Sequence, residues 1–138
     1  MLDELLRRVS NHTPHTLETD GRFPEAAVLV PITRSDEPEL ILTLRASGLS
    51  THGGEVAFPG GRRDPEDPDL IFTALREAEE EIGLPPGLVE VIGPLSPLIS
   101  LHGIRVTPYV GVIPDYVEYL ANDAEIAAVF SVPLDFFR

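Results

Sequence analysis

The chain of 138 residues contains no cysteine, few basic residues and no long apolar run. The lack of cysteine excludes disulfide bonds, thiol catalysis and a cysteine-ligated zinc site. No apolar stretch reaches the roughly 18 residues of a membrane helix, and residues 1–11 lack the pattern of a signal peptide. Because 43% of the residues are apolar, the chain can furnish a sizeable core. We therefore expect one cytoplasmic domain that spans residues 1–138.

Basic residues are scarce relative to acidic ones, 10 against 23, which gives a formal net charge of −13. Nucleic acids and anionic membranes are bound largely through Lys and Arg, so neither is an expected partner. A phosphorylated small molecule would also be repelled unless divalent cations came between its oxygens and the protein. The charge balance therefore favours phosphate chemistry only together with a metal.

Residues 67–82 predict an amphipathic helix with an acidic face. At about 100° per residue, Glu77, Glu80 and Glu81 project within an arc of about 100°. A separate apolar stripe is formed by Ile71, Ala74, Leu75, Ala78 and Ile82. Three neighbouring carboxylates repel one another as bare anions, whereas a hard cation such as Mg²⁺ prefers oxygen ligands. The acidic face is thus a candidate metal site.

Both ends of this helix carry residues that typically start or end a helix. Asp67 is the predicted N-cap, and Pro68 suits the first helical position. Gly83, which is followed by two prolines, predicts the end of the helix.

An acidic helical run is most often a solvated surface, and its surroundings decide between that interpretation and a metal site. Arg76 precedes the acids at a position that can reach Glu80, four residues on. The pair Gly60–Gly61 precedes the helix, and glycines allow backbone atoms to approach a ligand closely. These neighbours favour the metal site.

The segment from Gly61 to Leu84 resembles the Nudix hydrolase signature. Residues 76–84 match every specified position of its second half, Arg-Glu-apolar-x-Glu-Glu-x-Gly-apolar. Between Gly61 and Arg76 the chain is one residue longer than the signature, and the loop acid is either Glu66 or Asp67. The resemblance implies an α/β/α sandwich with a mixed sheet and a site for Mg²⁺ or Mn²⁺.

Residues 41–61 are similar to the motif of coenzyme A pyrophosphatases within the Nudix superfamily. That motif reads Leu-Leu-Thr-x-Arg-Ser/Ala, three residues, Arg, three residues, Gly, three residues, Phe-Pro-Gly-Gly, and every spacing is kept. Ile41 replaces the first Leu, and Ser50 stands where the motif has its second Arg. We expect Arg62 or Arg63 to compensate for that missing charge.

The rest of the chain predicts short alternating elements, and the family resemblance continues to the Val-Pro-Leu segment at 132–134. A helix is expected at 2–10, and strands at 26–33, 40–45, 56–58, 90–95, 105–113 and 126–132. Family members usually continue into a further strand and a closing helix, so we expect either a fragment or a short form.

The Nudix resemblance also implies roles for individual residues. Glu77, Glu80 and Glu81, together with the Gly61 carbonyl, are the expected ligands of Mg²⁺ or Mn²⁺, with Glu80 either a ligand or a base. Arg76 is expected to orient a carboxylate of this cluster. Arg45 is expected at a substrate phosphate, with a structural ion pair as the alternative, and Gly60 and Gly61 beside the substrate. Glu125 is a further candidate acid, with an ordinary surface residue as the alternative.

The leading hypothesis is hydrolysis of coenzyme A, or of a derivative, to 3′,5′-ADP and 4′-phosphopantetheine. A second is a Nudix hydrolase for another nucleoside diphosphate derivative, such as ADP-ribose or a dinucleotide, which the Ser50 departure favours. A third is a noncatalytic nucleotide-binding module with the Nudix fold. The histidines His12, His15 and His102 lack metal-ligand spacing and receive no role.

Overall fold

The computed structural model describes residues 2–13, 23–46 and 54–137, and the predicted elements are present within them. Ser50, His15 and His52 lie outside the described residues. The helices are α1 (Leu2–Asn11) and α2 (Leu70–Ile82). The strands are β1 (Glu25–Thr33), β2 (Glu39–Arg45), β3 (Val56–Ala57), β4 (Gly60–Arg62), β5 (Glu90–Pro94), β6 (Leu98–Ile99), β7 (Arg105–Ile113) and β8 (Ile126–Pro133). Short 3₁₀ turns occupy Pro86–Leu88 and Leu134–Phe137.

The described strands form one mixed sheet between the two helices. Its main order is β3-β2-β1-β7-β5, while β4 pairs with β1, β6 with β7 and β8 with β2. The pairing of β1 with β7 is parallel over nine residue pairs, and the other pairings are antiparallel. The α/β sandwich expected from the sequence is confirmed.

Alternation along β1 divides the core into two layers, because successive side chains of a strand point to opposite faces. Val30 and Ile32 pack on one face with Leu6 and Val9 of α1. On the other face, the stripe of α2 covers Ala27, Leu29, Ile41 and Ile113 with Ala74, Ala78 and Ile82. The apolar stripe predicted for α2 is therefore buried, except that Ile71 remains exposed.

The N-terminus of α2 differs from the prediction. Asp69, not Asp67, is the N-cap, and its carboxylate accepts a hydrogen bond of 2.8 Å from the Phe72 amide. The helix begins at Leu70, so Pro68 lies before it. The C-terminal prediction is confirmed, because Gly83 adopts the left-handed conformation (φ 70°) and donates to the Glu79 carbonyl.

Strand β4 was not predicted, and it determines how the site is built. Gly60 and Gly61 pair antiparallel with Val28 and Ala27 of β1. A Cβ atom on Gly60 would lie 2.4 Å from the Ala27 carbonyl oxygen, so a side chain has no room there. Glycines have low strand propensity, yet here only glycine allows the chain to lie this close to β1.

Strand β8 is an edge strand of the described sheet and pairs with residues Glu39 to Arg45 of β2. Neither described helix has the length and apolarity needed to cross a membrane.

Candidate functional site

Helix α2 and strand β4 bring the acidic side chains and the glycine pair together. The three glutamates of α2 occupy different surroundings. The side chain of Glu80 is 55% exposed and that of Glu77 is 18% exposed, whereas Glu81 is only 2% exposed. The three acids of the predicted acidic face therefore differ in exposure, from the solvent-exposed Glu80 to the buried Glu81, and are not equivalent.

Glu81 is a buried carboxylate held by the backbone of β4. Its Oε2 atom accepts a hydrogen bond of 2.9 Å from the Gly60 amide. The pKa of the Glu81 carboxyl is raised to about 7, chiefly by burial and in part by the negative charges of Glu77 and Glu125. The Gly60 amide and the Arg45 charge act in the opposite direction. Glu81 thus lies where an additional positive charge would be strongly stabilising.

Glu77 lies against the second glycine of β4. A Cβ atom built on Gly61 would lie 2.6–2.8 Å from the carboxylate atoms of Glu77, so the absence of a side chain makes room for this group. Burial raises the pKa of the Glu77 carboxyl, while its hydrogen bond from Arg76 lowers it. The negative charges of Glu80 and Glu125 contribute further increases.

Arg76 links the acidic face to the loop that precedes the helix. Its guanidinium donates to Glu77 at 3.0 Å, to both carboxylate oxygens of Glu80 at 3.2 and 3.3 Å, and to Asp67 at 2.9 and 3.1 Å. The contact with Glu80 that the spacing predicted is present. These ion pairs raise the pKa of the Arg76 guanidinium. Arg76 is thereby occupied by the protein's own carboxylates and positions them.

Asp67 is the loop acid that holds Arg76. It is buried and also accepts hydrogen bonds from the Thr73 hydroxyl at 2.8 Å and the Asp64 amide at 2.9 Å. The Arg76 guanidinium holds the pKa of the Asp67 carboxyl well below its usual range. Five residues separate Gly61 from Asp67, as in the signature, so the extra residue of this chain lies between Asp67 and Arg76.

Glu125 approaches the two inner acids from the loop before β8. Its charge raises the pKa of both Glu77 and Glu81. The loop is fixed by backbone hydrogen bonds, in which Asn122 donates to the Glu81 carbonyl and Ala46 donates to the Glu125 carbonyl, each at 2.8 Å. Sequence spacing could not place this residue, because the contact depends on how β8 returns to β2.

The donor chemistry suits a hard divalent cation, although the side chains are not yet arranged as ligands. Across residues 2–13, 23–46 and 54–137, no group of three or more His, Cys, Asp or Glu side chains is positioned to hold a metal ion. The reason is that Arg76 engages Glu77 and Glu80, while Glu81 turns towards the Gly60 amide. Burial and neighbouring negative charges nevertheless raise the pKa values of the Glu77 and Glu81 carboxyls. A bound Mg²⁺ or Mn²⁺ would stabilise the charged form of both groups.

A cleft of about 630 Å³ adjoins the glycine pair. Its lining includes Gly60, Gly61 and two arginines, Arg45 and Arg62. The Nε atom of Arg45 is buried and, within the described residues, has no hydrogen-bond partner. Since Arg45 also lowers the pKa of Glu81, its charge acts on both the acidic cluster and the cleft. This arrangement is compatible with the expected phosphate contact.

The structure separates the two arginines that were expected to compensate for Ser50. Arg62 is exposed and lines the cleft. Arg63 points elsewhere, with an ion pair to Glu25 at 3.7 Å and hydrogen bonds to the carbonyls of Asp67 and Pro68 at 3.0–3.3 Å. Of the two, only Arg62 is placed to meet a ligand in the cleft.

The chain matches known proteins over most of its length. A family model described as the NUDIX domain matches residues 23–135. The chain is 46% identical over 133 residues to a Yersinia enterocolitica protein named uncharacterized Nudix hydrolase NudL, covering 96% of this chain and 68% of that protein. The proteins of the same name from Cronobacter sakazakii and Yersinia pestis are each 49% identical, with 96% and 91% of this chain covered, and 69% and 62% of theirs. The chain thus spans about two thirds of its relatives' length.

Solved structures show the same fold. The crystal structure of the Mycobacterium smegmatis Nudix hydrolase RenU has a TM-score of 0.68 at 24% identity, covering 81% of this chain and 71% of that one. A C. elegans Ap4A hydrolase binary complex has a TM-score of 0.68 at 19% identity, covering 80% of each chain. The Nudix domain of Shewanella oneidensis NrtR, complexed with ADP ribose, has a TM-score of 0.65 at 20% identity, covering 95% and 84%.

Alanine substitutions at the two glycines are expected to have different effects. In Gly61→Ala the new methyl group meets the end of the Glu77 side chain, which moves away, so the fold should persist while Mn²⁺ affinity falls about 10–100-fold. In Gly60→Ala it meets backbone atoms of Ala27 and Val28, so stability should fall. Mn²⁺ titration by electron paramagnetic resonance and thermal unfolding measure the two effects. Equal loss of stability in both variants would contradict this division.

Metal-free protein should lose stability as the pH rises through neutrality. The folded-state pKa of Glu81, about 7, exceeds its unfolded value, so the protonated form favours folding and this contribution fades as the pH passes 7. Urea unfolding in chelator should show a fall of about 1–3 kcal/mol in the free energy of unfolding between pH ~4.5 and pH ~8, and Glu81→Gln should reduce this fall to the part that the raised pKa of Glu77 contributes. The exposed Glu80→Gln is the matched control and should retain the fall. An unchanged pH profile in Glu81→Gln would refute the assignment.

Proposed function

The chain belongs to the Nudix hydrolase family, and we propose that it hydrolyses the diphosphate bond of coenzyme A or of its derivatives, using Mg²⁺ or Mn²⁺. The products are 3′,5′-ADP and 4′-phosphopantetheine. The observation that carries the proposal is the junction at Gly60–Gly61, where the half-buried Glu77 and the buried Glu81 adjoin a cleft whose lining includes Arg45.

Nudix hydrolases generally use divalent metal ions, and the residues that would hold them here are Glu77, Glu81 and the Gly61 carbonyl. Bound ions would neutralise diphosphate oxygens and lower the pKa of an attacking water. Glu80, the most exposed acid of the helix, is either a further ligand or the residue that accepts a proton from that water. Glu125 would add a fourth carboxylate from the facing loop.

Two arginines have different proposed roles, Arg76 at the carboxylates and Arg45 at the substrate. Arg76 is saturated by Asp67, Glu77 and Glu80, so it orients carboxylates and leaves substrate binding to other residues. Arg45 lines the cleft, and its buried Nε atom has no hydrogen-bond partner among the described residues, so its guanidinium would bind a phosphate oxygen of the substrate. A charge-assisted hydrogen bond there would also keep the substrate from drifting away from the acids.

The assignment of coenzyme A rests on the motif at residues 41–61, which keeps every spacing of the coenzyme A pyrophosphatase pattern. Arg62 supplies a positive charge at the cleft and so offsets the Arg that Ser50 replaces. That replacement favours a second candidate, a Nudix hydrolase for ADP-ribose or a dinucleotide. The noncatalytic alternative is disfavoured because the acids Glu77, Glu80 and Glu81 are all retained.

Product analysis tests the reaction directly. With Mg²⁺ or Mn²⁺, coenzyme A should yield 3′,5′-ADP and 4′-phosphopantetheine, detected by mass spectrometry. Glu81→Gln should lower kcat by roughly 100-fold or more, the scale expected for removal of one preorganised charge-stabilising group. Cleavage of ADP-ribose or dinucleotides without any cleavage of coenzyme A would support the second candidate instead, and absence of turnover on all three would support the noncatalytic module.

Arg62 and Arg63 form a matched pair for testing the compensation of Ser50. Arg62→Ala should raise KM for coenzyme A about tenfold with a smaller effect on kcat, because a charged contact to the substrate is lost. Arg63→Ala removes contacts with Glu25 and the loop before α2, so it should lower the thermal midpoint and leave KM nearly unchanged. If the KM of Arg62→Ala is as close to that of the unaltered protein as the KM of Arg63→Ala, Arg62 does not contact the substrate.

A further inference from the structure

The cleft beside the glycine pair has apolar walls and a polar mouth. Its walls are formed by Ala26, Val28, Ala57, Phe58, Ile104 and Val106. Among the lining residues, Glu55, Arg62 and His102 are exposed, whereas the charged Arg45 is half-buried. An apolar pocket with few polar groups near its entrance is typical of a site for an aliphatic group.

The position of the cleft limits what can enter it. The walls from β1 and β7 belong to the face of the sheet that α1 covers, whereas the acids lie on α2. Strand β4 separates them, and its two glycines contact both sides. Because these glycines border both the acids and the cleft, a diphosphate held at the acids would have one of its two substituents next to the cleft. In coenzyme A these substituents are the nucleotide and the pantetheine arm.

The wall chemistry distinguishes the two substituents. A ribose and a base carry hydroxyl and ring nitrogen groups, which lose free energy when they are buried without partners. The side-chain amides that commonly read base edges are absent from the lining, since the chain has no glutamine and its asparagines are Asn11 and Asn122. The pantetheine arm also carries a hydroxyl and two amides, but the part next to its phosphate ester is apolar, because a quaternary carbon with two methyl groups follows after one carbon.

We propose that this cleft binds the pantetheine arm, with its paired methyl groups against the apolar wall beside β4, while the nucleotide lies outside the cleft. The proposal rests on the proposed function and adds the direction in which the substrate lies across β4. Ala57, Val28 and Val106 then determine specificity for the arm, and Arg62 at the mouth faces the phosphate end.

Binding of the two products to the full chain with Mg²⁺ tests the proposal, because products bind without turnover. Ala57→Leu narrows the cleft and should weaken 4′-phosphopantetheine about tenfold while changing 3′,5′-ADP less than about twofold, as measured by calorimetry. Ala127→Leu, the same change at an exposed position of β8, is the matched control and should change neither. Val106→Thr keeps the volume of the wall but adds a hydroxyl, and should also selectively weaken 4′-phosphopantetheine.

The outcomes separate this inference from the function on which it rests. Weaker 3′,5′-ADP binding in Ala57→Leu, with 4′-phosphopantetheine unchanged, would place the nucleotide in the cleft and overturn the inference even if coenzyme A is hydrolysed. Equal effects on both products, or no binding of 4′-phosphopantetheine to the unaltered protein, would also overturn it. The expected selective loss, without coenzyme A hydrolysis, would support the cleft assignment and reject the proposed reaction.

Discussion

The hydrogen bond from the Gly60 amide to the buried carboxylate of Glu81 fixes the relation between the sheet and the acidic helix. It joins β4 to α2 at the only part of β4 that has no side chains. Burying a carboxylate is costly unless it is hydrogen-bonded or paired, and one amide compensates only partly, as the raised pKa of Glu81 shows. A positive charge next to Glu81 would therefore stabilise its carboxylate. Glu77 lies against the next residue of the same strand, Gly61, and the cleft borders both glycines, whereas the placement of Glu125 depends on how β8 returns to β2.

Charge compensation is unevenly distributed around that junction. Arg76 is shared among Asp67, Glu77 and Glu80, which anchors the loop before α2 and leaves Glu81 without a direct cationic partner among the described residues. Had a second arginine paired with Glu81, the fold would be more stable without metal but the carboxylate would be less available as a ligand. The arrangement instead leaves Glu81 available to the exchangeable cation that the proposed function requires, which would also allow a diphosphate to approach an acidic surface.

Local sequence patterns predicted most of the helices and longer strands, because each carries a clear period or clear punctuation. The errors arose where long-range contacts decide the outcome. Asp67 and Asp69 both flank Pro68, and only the fold shows that Arg76, nine residues on, draws Asp67 away from the cap position. Strand β4 was missed because glycines give no strand signal, although their pairing with β1 is what forms it. Likewise, the helical period placed three acids on one face but could not reveal that Glu81 is buried.

The candidate acids and the apolar cleft residues belong to different elements of the fold. The acids lie on α2, while the cleft walls come from β1, β3, β7 and the segments next to them, so we expect substitutions in the walls to leave the carboxylates in place. Arg45 is the exception, since it lines the cleft and lowers the pKa of Glu81. If a substrate phosphate binds Arg45 as proposed, it would neutralise part of the positive charge that lowers the pKa of Glu81. Under this proposal, phosphate binding at Arg45 and cation binding at Glu81 would be coupled through the guanidinium, so a substitution of Arg45 would change both.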